Sequence, residues 1–111
     1  MTESKNRDLL QGTLDLLILK TLGLQPLHGW GIARRIQQLS SDVLQIQQGS
    51  LYPALYRLQD RGLLRSEWGQ SDEGRQVKVY RLTEAGVQRL ADETRSWREA
   101  SAAVEAILAA S

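Results

Sequence analysis

The sequence contains no cysteine and only one histidine among its 111 residues. Without cysteine the chain can form neither a disulfide nor a thiolate zinc site, and it has no thiol nucleophile. His28 alone, with scattered carboxylates, makes a poor metal site. A Gly-x-Ser-x-Gly run and a glycine-rich phosphate loop are also missing. We therefore predict that the protein is not an enzyme and uses no cofactor and no metal.

Long apolar runs are missing as well. The polar segment 1–8 is followed by an apolar stretch that Gln11, Asp15 and Lys20 interrupt, too soon for a membrane span or a cleaved signal. With the lack of cysteine, this predicts a cytoplasmic protein with no membrane partner. A chain of 111 residues that is 41% hydrophobic can build one core, which predicts a single domain.

The net charge of +1 is small, but it is unevenly distributed. Residues 1–48 carry five basic and four acidic groups, residues 49–81 six and four, and residues 82–111 three and five. The middle of the chain is mildly basic and its tail acidic. This distribution allows one face to approach a polyanion, although it is equally compatible with a protein partner.

The first half of the chain predicts two helices and a short strand. Apolar residues on more than one face between Asp8 and Leu22 predict a helix that is buried on nearly all sides. Gly23 and Pro26 end it. Spacings of three and four from Trp30 to Leu39 predict a second, amphipathic helix. The apolar run 43–46 between turn-forming residues predicts a brief strand.

A third helix is predicted from Ser50 to Arg61. Ser50 can cap it, Pro53 would fall in the first turn, where its missing N–H is harmless, and Gly62 can end it. Its apolar face is Leu51, Ala54, Leu55 and Leu58. The opposite face carries groups that can reach phosphates and base edges: Tyr52, Tyr56, Arg57 and Gln59.

Two strands, Leu63–Trp68 and Val77–Leu82, are predicted to form a hairpin with a long, mobile tip at residues 69–75. Trp68 is expected to pack in the core or on the strand. Arg75 and Lys78, with Gln76, lie at the base of this tip. They can contact a phosphate or the minor groove, or they can simply keep an exposed turn soluble.

The last helix is predicted to start at the capping residue Thr83. Its apolar or small residues recur at alternating spacings of three and four, the pattern of a coiled-coil seam. The seam consists of Val87, Leu90, Thr94, Trp97, Ser101, Val104 and Leu108. Residues 100–103 are all small, which favours close approach of another helix. A partner subunit is the simplest explanation of this one-sided helix.

This order of elements is that of a winged helix-turn-helix, so the predicted class is mainly α with a small β ribbon (α+β) and a long C-terminal dimerisation helix. We assign residues 1–82 to the winged helix-turn-helix with its N-terminal helix, and residues 83–111 to the dimerisation helix of the same single domain. In this fold the third helix enters the major groove and the ribbon reaches the flanking backbone.

Three segments, 24–32, 48–58 and 80–86, resemble the PadR family of bacterial transcriptional regulators. They read Leu-Gln-Pro-Leu-His-Gly-Trp-Gly-Ile, Gln-Gly-Ser-Leu-Tyr-Pro-Ala-Leu-Tyr-Arg-Leu and Tyr-Arg-Leu-Thr-Glu-Ala-Gly. The resemblance runs from about Leu9 to the C-terminus, and the length resembles the short subgroup. It implies a homodimer that uses the terminal and first helices as its interface. Trp30 stands where the family commonly has tyrosine, so a phosphate contact by a hydroxyl is not expected there.

These patterns and the resemblance together define the predicted sites. The candidate DNA contacts are Arg34, Gln48, Ser50, Tyr52, Pro53, Tyr56, Arg57, Arg75 and Lys78. The candidate dimer contacts are Leu14, Leu17, Val87, Leu90, Thr94, Trp97, Ser101, Val104 and Leu108. For each DNA candidate the alternative is structural: Ser50 only caps, and Arg34, Tyr56 and Arg57 only form a solvated face.

Trp97 has two interpretations. Across a two-fold axis two indoles can sandwich a flat aromatic effector, as the resemblance implies for some short members of the family. Alternatively, Trp97 is a plain hydrophobic anchor of the dimer.

The predicted function is that of a homodimeric repressor that binds double-stranded DNA at a pseudo-palindromic operator and is released by a small-molecule effector. The alternative is a winged-helix module that binds a protein and never touches DNA. The small net charge leaves this alternative open.

Overall fold

The computed structural model describes residues 11–111, which form four helices and a three-stranded antiparallel sheet. In chain order the elements are α1 (Gln11–Leu24), β1 (Leu27–His28), α2 (Gly29–Leu39), α3 (Gln48–Asp60), β2 (Leu64–Gln70), β3 (Gln76–Leu82) and α4 (Glu84–Leu108). The predicted α+β class, with its ribbon and its long last helix, is confirmed. The predicted start of the first helix, at residues 8–10, lies outside the described residues.

The sheet has the strand order β1-β3-β2. Strands β2 and β3 form the predicted hairpin, called the wing below, with Leu64 opposite Leu82 and Gln70 opposite Gln76. Strand β1 pairs Leu27 with Tyr80 on the other edge of β3. Because β1 has only two residues, it shows no alternation in the sequence and was not predicted. Its pairing places the start of α2 beside the wing.

The core lies between α1, α2, α3 and the base of the wing. Its members are Leu14, Ile18, Leu19, Leu22, Ile32, Ile36, Leu51, Ala54, Leu55, Leu58, Leu63, Leu64 and Tyr80. Four of these side chains come from one face of α1, and Leu17, on another face, is only partly buried against the same core. Within this subunit α1 is therefore less completely buried than predicted. The predicted apolar stripe of α3 is confirmed.

The predicted start of α3 is wrong by two residues. Gln47 occupies the cap position without a side-chain hydrogen bond, and Ser50 is the third helical residue rather than the cap. Pro53 is therefore inside the helix and not in its first turn. It leaves the carbonyl of Gly49 without its usual donor, which is tolerable because Gly49 is exposed to water. Gly62, with a φ of +76°, follows the helix end as predicted.

The predicted strand at residues 43–46 is also wrong. These residues lie in the connection between α2 and α3, without strand structure. Ser41 and Asp42 adopt positive φ values of 52° and 69°, and the Ser40 hydroxyl accepts a hydrogen bond from the backbone N–H of Leu44. The backbone N–H of Leu44 is thus used within a turn and is not available to pair with a neighbouring strand. No strand among the described residues runs beside this segment.

The tip of the wing is shorter than predicted. The strands extend to Gln70 and from Gln76, so five residues rather than seven connect them. Ser71 closes this turn: its backbone N–H donates to the carbonyl of Arg75, and its hydroxyl accepts from the backbone N–H of Arg75. The prediction of a long tip is therefore wrong.

The start of α4 follows the sequence prediction. The Thr83 hydroxyl accepts a hydrogen bond from the backbone N–H of Gly86 at 3.0 Å and donates to the carbonyl of Gly62 at 2.6 Å. From there α4 runs 25 residues, about 37 Å at the usual rise. Among residues 11–111, no helix combines the length and the apolar character that crossing a membrane requires.

Candidate nucleic-acid interface

A cleft of about 970 Å³ lies between α2, the wing and the exposed side of α3. The side chains of its wall come from all three elements. Arg34, Arg35 and Trp30 belong to α2, Tyr52 and Tyr56 to α3, and Trp68, Arg75 and Lys78 to the wing. The short pairing of β1 with β3 brings these elements together.

Five of the nine candidate DNA contacts line this cleft. They are Arg34, Tyr52, Tyr56, Arg75 and Lys78. Gln48, Ser50 and Pro53 do not line it, but they are exposed at the start of the same helix, α3. Only Arg57, among the nine, is engaged in a contact that competes with an outward role.

Arg57 is only partly exposed, and its guanidinium is engaged in a contact within the subunit. Its Nη2 donates a short hydrogen bond to Oδ1 of Asp15 on α1, and the two side chains are 26% and 15% exposed. Its Nε is buried without a hydrogen-bond partner. The expectation that Arg57 faces outward alongside Tyr56 is therefore wrong for this structure. Arg57 connects α3 to α1.

The charges of the cleft favour an anion. Four cationic side chains line it, from Arg34, Arg35, Arg75 and Lys78, against two acidic ones from Asp72 and Glu73 at the wing tip. The protein as a whole has a net charge of only +1. The positive charge is thus concentrated where side chains of the three elements converge.

All three tyrosines of the protein line this cleft. The rings of Tyr52 and Tyr56 lie 6.3 Å apart between centroids and are tilted by 42°. Burial raises the pKa of the Tyr80 phenol above its usual 10.0, and the nearby Tyr56 and Tyr52 raise this pKa further. The Tyr80 phenol is therefore neutral at physiological pH and can act as a hydrogen-bond donor.

The position of Tyr52 depends on a glycine. The Tyr52 hydroxyl and ring edge lie against the Cα of Gly29, at the start of α2, where a Cβ atom would overlap them. Gly29 is buried. The His-Gly pair of the sequence thus provides the space that the α3 tyrosine occupies.

The single histidine has a structural role. Nδ1 of His28 accepts a hydrogen bond from the backbone N–H of Gly31 at 3.1 Å and so caps α2. This is the arrangement that serine or aspartate usually provides at a helix start. His28 directly precedes the helix, so its position in the sequence is that of a capping residue. Histidine is not a common cap, and this role was therefore not predicted.

Sequence reasoning missed the two indoles of the cleft. Trp68 was expected in the core or packed on the strand, yet it is 65% exposed. Alternation along β2 places Leu64, Ser66 and Trp68 on one face. The core ends near Leu64, so the same face continues into the cleft at Trp68. Trp30, 53% exposed on α2, also lines the cleft.

The predicted seam of α4 is largely open to solvent. Val87, Trp97, Val104 and Leu108 are exposed. The seam hydroxyls bond within the helix: Thr94 donates to the carbonyl of Leu90 and Ser101 to that of Trp97. Both hydroxyl donors could therefore be covered by another subunit without losing a partner.

Three of the candidate dimer contacts pack inside their own subunit. Leu14 is a core residue, and Leu17 and Leu90 pack against that core. Leu90 lies beside Gly23 of α1, so the start of α4 is held against α1. The surface of the seam that remains for a partner extends from Trp97 towards the C-terminus, together with Val87.

Comparisons with known proteins agree with this architecture. Residues 18–92 match the model of the family described as "Transcriptional regulator PadR-like family". A transcriptional regulator of Mycobacterium tuberculosis is 37% identical over 93 residues, which cover 84% of this chain and 83% of the relative.

Solved structures are similar over nearly the whole chain. A PadR-like transcription factor from Bacteroides fragilis has a TM-score of 0.71 and 32% identity, covering 87% of this chain and 91% of its own. A PadR-like transcriptional regulator from Bacillus cereus has a TM-score of 0.79 and 25% identity, covering 92% and 97%. This chain therefore belongs to the PadR-like family of transcriptional regulators.

Proposed function

We propose that the protein is a homodimeric, sequence-specific repressor that places α3 of each subunit in a major groove of double-stranded DNA. The observation that carries the proposal is the shared surface of α2, α3 and the wing. Eight of the nine candidate DNA contacts lie either in the cleft or at the exposed start of α3. A major groove is wide enough for one helix, and a wing beside that helix reaches the adjacent backbone.

The start of α3 is suited to phosphate. Its cap residue Gln47 makes no side-chain hydrogen bond to the helix, so the N–H groups of Gln48 and Gly49 have no acceptor from the cap side chain, whereas the N–H of Ser50 already donates to the carbonyl of Gln47. Such groups, at the positive end of the helix dipole, attract an anion. Gln48 and Ser50 lie in this turn and are exposed. Arg34, Arg75 and Lys78 add charge beside it.

The dimer is proposed to form along α4. The exposed seam from Val87 to Leu108 offers apolar side chains whose burial stabilises association. A two-fold axis between subunits requires a pseudo-palindromic operator, with half-sites about 10 bp apart or a multiple of that distance. In this arrangement residues 1–82 read DNA and residues 83–111 dimerise.

Release from DNA is proposed to follow a change in the angle between the two winged parts, transmitted through the α4 interface. Trp97 lies in the middle of the seam and is 49% exposed. Paired across the axis, the two Trp97 rings would anchor the dimer or hold an aromatic effector between them.

Salt dependence tests the proposal directly. The purified protein is titrated with a random-sequence duplex at several salt concentrations, with fluorescence anisotropy as the readout. We expect the logarithm of affinity to fall linearly with the logarithm of salt concentration, with a slope of about −0.9 for each phosphate contact. No binding at low salt would contradict the proposal and favour a winged-helix module that binds a protein.

A further inference from the structure

His28 lies where the wing, α2 and α3 meet. It is the second residue of β1 and pairs with Val79 of β3, its Nδ1 caps α2, and it lines the cleft. The next residue, Gly29, lies against the ring of Tyr52 on α3. The only histidine of the protein is therefore in a position to control how these three elements are arranged.

The cap on α2 requires Nδ1 of His28 to be unprotonated. Nδ1 accepts a hydrogen bond from the backbone N–H of Gly31 at 3.1 Å, and an imidazole nitrogen can accept only when it carries no proton. Protonation turns Nδ1 into a donor that faces another donor. It also places a positive charge at the positive end of the helix dipole. The first turn of α2 thus loses its side-chain acceptor.

The other charged and titratable side chains of the cleft come from every element around it. They are Arg34 and Arg35 on α2, Tyr52 and Tyr56 on α3, Lys78 and Tyr80 on β3, and Asp72, Glu73 and Arg75 at the wing tip. Histidine is the side-chain type that ordinarily changes its charge between about pH 5 and pH 8. Acidification in this range therefore acts on the cleft through His28.

Protonation of His28 has two opposite effects on an anion such as DNA. The added charge attracts phosphate, whereas the lost cap loosens the start of α2. A single pair of exposed charges contributes less than a helix cap usually does, so the loss of the cap decides the direction. Gly29 transmits the loss to α3, because Tyr52 packs directly on its Cα.

We propose that His28 is a positioning residue whose neutral form holds α2 and Tyr52 in the DNA-binding arrangement, and whose protonation on acidification releases them and weakens DNA binding. The effect on DNA rests on the proposed function, whereas the pH-dependent cap does not.

Hydrogen exchange followed by nuclear magnetic resonance tests the cap without DNA. The N–H of Gly86 is an internal control, because it donates at 3.0 Å to the hydroxyl of Thr83, a cap without a titratable group. From about pH 7.5 to about pH 5.5, the protection of Gly31 relative to Gly86 should fall by about fivefold, which corresponds to one lost cap. A constant ratio would overturn the proposal.

His28→Asn is the matched variant. Asparagine caps helices through its side-chain oxygen and does not titrate, so the ratio of Gly31 to Gly86 protection should be independent of pH in this variant. The same fall in His28→Asn as in the wild-type protein would show that His28 is not the group that titrates and would overturn the proposal.

Fluorescence anisotropy with a duplex, at constant ionic strength, tests the effect on DNA. Over the same pH range the wild-type protein should lose about fivefold more affinity than His28→Asn. His28→Ala, which has no cap at either pH, should bind weakly at both. Identical pH profiles of the wild-type protein and His28→Asn, or tighter binding by the wild-type protein at the lower pH, would overturn the proposed effect on DNA.

The two readouts distinguish this inference from the proposed function. If the Gly31 cap responds to pH but no variant binds a duplex at either pH, the pH-dependent cap stands and the proposed DNA-binding function fails. If the duplex binds and its affinity does not depend on His28, the proposed function stands and this inference fails.

Discussion

Arg57 of α3 and Asp15 of α1, 42 positions apart in the chain, are joined by a hydrogen-bonded ion pair. The pair is mostly shielded from water, and it connects the helix proposed to read DNA with the helix that packs against α4. We therefore expect Arg57 to be a positioning residue for α3, so that under the proposed function a change of Arg57 would affect DNA binding through the placement of that helix.

A double-mutant cycle measures this connection. Asp15→Ala and Arg57→Ala should each destabilise the fold, with a coupling energy of about 1–2 kcal/mol, between the values for exposed and buried pairs. Urea denaturation of the two single variants and the double variant gives the number. On DNA, both single variants should lower operator affinity to a similar extent and leave base preference unchanged. A loss seen with Arg57→Ala but not with Asp15→Ala would make Arg57 a direct DNA contact.

Gly86 is expected to tolerate no side chain. A Cβ atom at this position would overlap the carbonyl oxygen of Leu63. This oxygen belongs to the backbone, so no side-chain rotation can relieve the overlap. Gly86→Ala should therefore destabilise the protein by about 2 kcal/mol or more, as overpacking does. Gly12→Ala is the control, because nothing lies within 4 Å of its Cβ position; it should stabilise α1 by up to about 1 kcal/mol. Thermal unfolding that ranks the two variants in the opposite order would refute this view of Gly86.

Gly29→Ala should act on the cleft more than on stability. The added methyl group would displace the ring of Tyr52, a side chain that can rotate away, so we expect operator affinity to fall by about tenfold while most of the stability remains. Gly31→Ala is the matched control on α2, because its Cβ would meet only ordinary contacts with His28 and Leu27. Equal DNA affinity of the two variants would remove Tyr52 from the interface.

Val104→Asp should convert the proposed dimer to monomers. Val104 is exposed in the single subunit, so the change leaves the subunit core intact, whereas a charge at a seam position cannot be buried against a partner. Ala106→Asp places the same charge on the opposite side of α4 and should leave the dimer intact. Sedimentation velocity separates the two outcomes. A dimer that survives Val104→Asp would place the interface elsewhere.

Leu90 does not provide this test. It packs against the core of its own subunit, so a charge there would unfold the monomer as well as separate the dimer. The periodic pattern of α4 cannot distinguish the two roles, because the same spacing of three and four serves both an internal and an external partner.

Local signals predicted most of the fold. The capping hydroxyl of Thr83 marks the start of α4, and alternation in residues 77–82 marks a strand, because both features depend on neighbours in the chain. The start of α3 was misplaced because Gln47 caps without its side chain, so the first turn has no distinctive residue. Serine is a common capping residue, so the start of the helix was predicted at Ser50 instead.

The candidate site was predicted only in part, for a physical reason. Which residues face outward on α3 follows from helical spacing, and Tyr52 and Tyr56 were found in that way. The pairing of Asp15 with Arg57 depends on how two helices pack, and no local pattern encodes it. Trp68 was wrongly expected to be packed in the core or on the strand. The alternation of side chains shows which face of a strand a residue lies on, but it does not show where along the strand the core ends.

In vitro selection from a random duplex pool, at a low and a higher salt concentration, tests directly whether the protein is a dimeric reader of DNA sequence. A dimeric reader should enrich a motif with two-fold symmetry, with half-sites about 10 bp apart or a multiple of that distance, and recovery of this motif should be lower at higher salt. The absence of any enriched motif at low salt, with correctly folded protein, would contradict it.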